Sequence, residues 1–177
     1  MLTQTKAKDS LMRDFEYSIY DFELLSEKEK TAVDWIKPRT ENTYHTGNTL
    51  FSHLYGTFSV LKNFNCSESV CLAGLYHSIY GTEFFNSNIN AKRENVVKII
   101  GEYSEYLVHV FCMSGRDEII MNNKLNHDAK TSLDLMYIFY ANLIEQISMV
   151  RTPLQHFEKI KETIIILEKK QENINVK

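Results

Sequence analysis

Apolar residues recur at three- and four-residue intervals along most of the chain, the spacing that one buried helix face requires. Leu11, Phe15, Ile19 and Phe22 open the pattern and predict an amphipathic first helix. "SEKE" sets Ser26 three residues before Glu29, a capping box for a second helix holding Val33 and Ile36, which Pro38 is expected to stop. "RTENTYHTGN" is a polar connection. Leu50, Leu54, Phe58 and Leu61 then mark a stripe from Thr49 to Leu61, with His53 on its border. After the turn "NFNCSES", with Ser67 as a cap, residues Val70 to Tyr80 are apolar on nearly every side and predict an interior helix. Asn90 is expected to cap a helix through Val96, Val97 and Ile100 that Gly101 closes, and Tyr103 to Phe111 forms another. "MSGRDEIIMNNKLNHD" reads as irregular. A long helix follows from Leu133 to Ile147, through Met136, Tyr140 and Leu143. A final helix starts at Thr152 and Pro153 and carries Leu154, Phe157, Ile160, Ile164 and Leu167. The fold class is all-α. Residues 1–170 read as a single domain, and residues 171–177 as a frayed tail.

Composition narrows the function. The chain has 177 residues, 44% of them hydrophobic, with only six Gly and two Pro to break long helices. That length suits one domain with a substantial core. A formal charge of −3 cannot build a broad basic face, so neither a nucleic-acid duplex nor an anionic membrane is the expected partner. "MLTQTKAKDS" lacks the apolar stretch of a secretory signal, and no apolar run reaches the ~20 residues of a membrane helix. Cys66, Cys71 and Cys112 are an odd set with no C-x-x-C spacing, which argues against a disulfide framework and a structural zinc site. The expected location is the cytoplasm. No P-loop, G-x-G-x-x-G or G-x-S-x-G element is present.

The chemistry concentrates in two histidines on adjacent helices. His53 stands on an amphipathic helix, and His77 ends the apolar segment in "LAGLYHSIYGTE". Taken alone, each reads as a core-edge histidine bonded to a backbone carbonyl. Their order, however, resembles the HD superfamily, and within it the hydrolase domain of the Rel/SpoT alarmone enzymes. Where those proteins carry R-x-S-G-x-P-Y-x-x-H-P, this chain has "YHTGNTLFSH". For A-A-L-L-H-D-x-x-E-D-T it has "AGLYHSIYGTE", and "IGEYSEYLVHVF" is similar to F-G-x-x-V-A-x-L-V. "IFYANLIEQI" loosely matches I-K-L-A-D-R-L-H-N-M, and "KIKETIII" echoes K-Q-x-x-x-x-E-T-L. The "H-S-x-Y-G-T" run also resembles a group of short HD-like proteins without a known function.

The resemblance implies a helical bundle whose metal, usually manganese, is held by His, His-Asp and a distant Asp. Carried over by position, those ligands become His53, His77, Ser78 and Asn142. The Glu-Asp pair that handles water becomes Gly81 and Thr82, and the guanine-stacking Arg falls on Tyr44. Both ligand carboxylates are therefore gone. Hard divalent cations require anionic oxygen ligands, and a metal-activated water depends on the metal's charge. Ordinary alarmone hydrolysis is not expected, and His77-Ser78 reads as a dismantled or reworked dyad. Glu83, Glu145 and His45 are the side chains that could complete a rearranged centre, although the usual role of such groups is to face solvent or form salt bridges. The literal His127-Asp128 sits in polar "NNKLNHDAK", where Asp128 reads as a helix cap. Arg116 and Asp117 read as a surface ion pair. Tyr76 and Tyr80 flank His77 and read as core, with their hydroxyls available to a polar cavity.

Three functions compete. In the first, the former active site is a polar pocket without a hydrolytic metal and with no cofactor expected. His53, His77, Ser78, Tyr44, His45, Tyr80, Thr82, Glu83 and Asn142 would serve a small polar or nucleotide-like molecule there, with His77, Ser78 and His53 carrying any acid–base chemistry. In the second, His53 and His77 with Glu83 or Glu145 hold manganese or iron for hydrolysis or oxygenation. In the third, the helices form a structural or interaction scaffold.

Overall fold

The computed structural model describes residues 19–45, 48–115, 127–146 and 154–175. Among them are seven α-helices: α1 Glu27–Thr40, α2 Leu50–Asn63, α3 Glu68–Tyr76, α4 Arg93–Ile100, α5 Glu102–Met113, α6 Ala129–Gln146 and α7 Leu154–Asn175. The only β structure among these residues is a minimal antiparallel pair, β1 Tyr44–His45 with β2 Asn48–Thr49, and one isolated bridge between Thr82 and Phe85. The all-α class read from the periodicity is the observed one.

Local chemistry sets most boundaries. Ser26 Oγ accepts the Glu29 N–H while the Glu29 carboxylate accepts the Ser26 N–H, closing the capping box at the start of α1. Glu29 is itself buried and ion-paired to Lys62 at 2.9 Å, which ties α1 to α2. Thr49 caps α2 through the Ser52 N–H, and Asp128 caps α6 through the N–H and hydroxyl of Thr131. The His127-Asp128 pair is thus a helix start, as its polar surroundings suggested.

Several expected boundaries move. No helix runs through Ile19 and Phe22: both side chains are exposed, Asp21 caps a single 3-10 turn at Phe22–Leu24, and Leu25 is extended. Leu11 and Phe15 lie outside the described residues. Pro38 does not stop α1 but sits in its last turn, where the hydroxyl of Thr40 and the guanidinium of Arg39 bond the carbonyls of Ile36 and Trp35. The apolar helix ends at Tyr76 instead of Tyr80, because the backbone tightens into turns that bond Ile79 N–H to the Tyr76 carbonyl and Gly81 N–H to that of Ser78. Lys92, not Asn90, starts α4, since its carbonyl accepts the first helical N–H groups, from Asn95 and Val96. Ser67 stands at the start of α3 without a side-chain capping bond. The segment predicted to fray is helical as far as Asn175. Arg116, Asp117, Ile147, Thr152 and Pro153 fall outside the described residues.

The core lies where α2, α3, α5 and α6 meet, with α1 and α4 covering one side and α7 packed along α6. Helix α3 is its centre: Val70 through Tyr76 are all buried. Tyr76 stacks on Trp35 and donates its hydroxyl to the Ala32 carbonyl, while Phe111 stacks on Phe139 with ring centroids 4.3 Å apart. Two glycines permit the tightest approaches. A methyl group on Gly74 would lie 2.2 Å from Leu61 Cδ1, and one on Gly56 would lie 2.7 Å from Glu145 Cγ. Helices α2 and α3, and α2 and α6, therefore meet more closely than side chains at those positions would allow.

Candidate functional site

The inner ends of α2, α3 and α6 bring the predicted histidines together. His53 projects from the second turn of α2, and His77 is the residue that caps the C-terminus of α3. Their Nε2 atoms stand 3.0 Å apart with the rings nearly perpendicular. Burial is almost complete, at 2% exposed for His53 and 1% for His77.

Each ring is held by its outer nitrogen. His77 Nδ1 lies 2.7 Å from the Gly74 carbonyl oxygen, which can only accept, so Nδ1 carries a proton and donates it. His53 Nδ1 meets the Glu145 carboxylate from α6. Gln146, the next residue of α6, places its amide nitrogen 3.4 Å from His53 Nε2. The Phe111 ring packs edge-on against His77 at 5.1 Å and closes the apolar side. Each Nδ1 thus has its own partner, and the two Nε2 atoms face each other at hydrogen-bond distance. Such second contacts are what fix tautomer and orientation wherever an imidazole must accept a proton or bind a metal.

The other predicted residues divide by depth. Ser78 is 4% exposed, directly after His77 in the turn that ends α3. Asn142 is 1% exposed and one turn before Gln146 on the same face of α6; its Nδ2 has no hydrogen-bond partner among the described residues. Tyr80, Thr82 and Glu83 are instead on a neighbouring cleft of ≈ 490 Å³, lined also by Gly81, Phe85, Asn86 and Cys112. Cys112 joins the two places: it lines the cleft, and its thiol donates to the His77 carbonyl at 3.1 Å. Burial pushes that thiol up to about 12. Tyr44 is 78% exposed on β1, and nothing is described for the His45 side chain.

The turn at the cleft is strictly built. Gly81 has φ +84°, and Thr82 and Phe85 exchange backbone hydrogen bonds across it. Ser87 Oγ donates to the Ile79 carbonyl. Tyr80 donates to Glu105, a buried carboxylate that Arg93 grips with two nitrogens at 2.6 and 2.7 Å. Burial works to raise the Glu105 carboxyl, but the bonds from Arg93 and Tyr80 and the guanidinium charge outweigh it and hold it below the usual range. Burial first, then Glu105, raises the Tyr80 hydroxyl. Much of the H-S-x-Y-G-T-E run thus shapes the backbone that carries His77.

Among the described residues, no group of three or more His, Cys, Asp and Glu is placed to hold a metal ion, so neither Glu83 nor Glu145 completes such a set with the imidazoles. Glu145 serves the outer nitrogen of His53 instead. The three cysteines are free thiols. No helix among the described residues is long and apolar enough to cross a membrane. Sequence reasoning missed Gly56, Gly74, Gln146 and the role of Cys112. Gln146 follows Asn142 by one turn, so helical spacing was the signal that could have found it.

Comparison with known proteins gives one match. Residues 36–116, from the end of α1 to just beyond α5, match the family described as Domain of unknown function (DUF6817). The matched span contains both histidines and the cleft, and leaves Glu145 and Gln146 outside it. No curated protein and no solved structure matches the chain.

Proposed function

We propose that this is an HD-like helical protein whose former metal centre has become a polar binding site, taking a small polar or nucleotide-like molecule. The observation that carries this reading is the meeting of two buried imidazoles, Nε2 to Nε2 at 3.0 Å, each ring also held through its outer nitrogen. Asn142 adds a buried amide donor that lacks a partner among the described residues. The ligand's own surface fits the cleft beside Cys112, where Thr82, Glu83 and Asn86 supply polar contacts. Any catalysis there is proton transfer by an imidazole.

Thermal-shift titration with nucleotides, nucleosides and polar metabolites tests the reading. At least one ligand is expected to stabilise wild type, and by RT ln(1 + [L]/Kd) a concentration of one hundred times Kd adds about 2.7 kcal/mol. The shift should disappear in His77→Ala and shrink in Thr82→Val, whose side chain lies on the cleft. If no compound stabilises wild type more than both variants, the binding site is refuted.

The separation of the two nitrogens favours one second reading. Two nitrogens bound at about 2.1 Å and at right angles to a common ion stand about 3 Å apart. The anchored donor set fits a divalent transition ion, iron or manganese, held by His53 and His77, although Ser78 and Asn142 stand where carboxylates would balance its charge. Such an ion would supply Lewis-acid activation for hydrolysis or oxygenation. Elemental analysis of gently purified and of reconstituted protein distinguishes the readings: stoichiometric metal lost in His53→Gln supports this one, and a content near zero after reconstitution removes it.

A further inference from the structure

Residues 82–92, which follow the positive-φ Gly81, include no fully buried side chain: every one is exposed or half-buried. A loop with so little of its surface in the core has few apolar contacts to hold it, and such segments are the first parts of a fold to open. Its two ends, however, are fastened to one carboxylate. Tyr80, just before the loop, donates its hydroxyl to Glu105 Oε1 at 3.0 Å. Arg93, just after it, donates Nε to the same oxygen at 2.6 Å and a second guanidinium nitrogen to Oε2 at 2.7 Å. The Glu105 side chain is only 3% exposed, so these charge-assisted bonds meet little competition from water. The first half of the loop is also braced within itself, by the paired backbone bonds of Thr82 and Phe85 and by the bond from Ser87 to the Ile79 carbonyl. That half is built to move as one piece.

The cleft runs along the same helix. Glu105 stands two turns before Cys112 on α5, and the cleft lies between Cys112 and Met113 on one side and residues 80–86 on the other. One wall is thus the end of α5, and the other is the fastened loop. We propose that loop 81–92 is a strap and Glu105 its clasp: the carboxylate holds both ends of the loop to α5, and loosening either end lets that wall of the cleft swing out. Arg93, which does not line the cleft, thereby controls how open it is. The strap needs no ligand to be tested, so it and the binding site proposed above stand or fall separately.

Limited proteolysis of the full chain with chymotrypsin, with cut sites identified by mass, reads the strap. Cuts after Phe84 and Phe85 report release of the loop. Cuts after Phe58 and Tyr76, fully buried on α2 and α3, report global unfolding. Wild type is expected to be cut slowly at both places. Tyr80→Phe, which keeps the ion pair of Arg93 with Glu105, and Arg93→Met should each raise the ratio of loop cuts to core cuts roughly tenfold, the factor expected for losing a hydrogen bond to a charged group. If the loop cuts fail to outpace the core cuts in either variant, the two-ended clasp is overturned. A wild-type loop cut as fast as a free peptide of residues 81–92 overturns it as well, because such a loop is not held down at all.

Discussion

At the level of single residues, the turn after His77 shows how much of a functional-looking motif is backbone engineering. Gly81 adopts φ +84°, and a methyl group there would stand 3.1 Å from the Phe85 carbonyl oxygen. The left-handed conformation alone costs a non-glycine residue roughly 1–2 kcal/mol. Gly81→Ala is therefore expected to destabilise the protein by about 1–3 kcal/mol, measured as a lower urea midpoint with an unchanged slope. Sequence alone pointed to His53 and His77 through their order, one on an amphipathic helix and the next closing an apolar one. It left Glu145 between two roles, because helical spacing shows which face a side chain shares and not which nitrogen of a partner ring it will meet. The Gly56 clearance was illegible for a similar reason: its need arises only when α6 packs across α2, and nothing near Gly56 in the chain announces that crossing.

Among the helices, legibility followed the source of each boundary. Where a boundary is set by neighbouring side chains, as in the Ser26 box or the Asp128 cap, the residue types predicted it. Where it depends on tertiary contacts it shifted, as at α3, whose periodicity runs to Tyr80 while the chain turns at His77. The predicted opening helix does not reach through Ile19 and Phe22, whose helical spacing has no surface to cover. Asp128 separates a motif from its look-alike. Asp128→Ala should cost about 1 kcal/mol through loss of the α6 cap, visible as a lower melting temperature. It should leave the imidazole NMR signals of His53 and His77 unchanged, whereas an aspartate acting in the centre would disturb them.

For the molecule as a whole, stability and site share one electrostatic tie. Glu105 on α5 joins Arg93 on α4 and Tyr80 at the cleft, and its carboxyl titrates below the ordinary glutamate value of 4.5. A carboxyl depressed in the folded state stabilises fully above its unfolded pKa, and that contribution is lost as pH falls through the folded value. Melting temperature should therefore decline as pH drops below about 4.5. Glu105→Gln should start lower at neutral pH and show a shallower decline, as scanning calorimetry from pH 7 to pH 3 would record. Equal slopes for the two proteins would mean that Glu105 does not link acid stability to the cleft.

Because Cys112 lines the cleft and its thiol is bonded to the His77 carbonyl, the protein carries its own reporter of breathing at this spot. With the thiol up at about 12 it is almost wholly uncharged at pH 8, so a maleimide captures it chiefly in moments when the end of α3 lifts away. Peptide mass mapping of the alkylation rate would count those moments: slow in wild type, quicker in Gly81→Ala, and slower still once a molecule occupies the cleft.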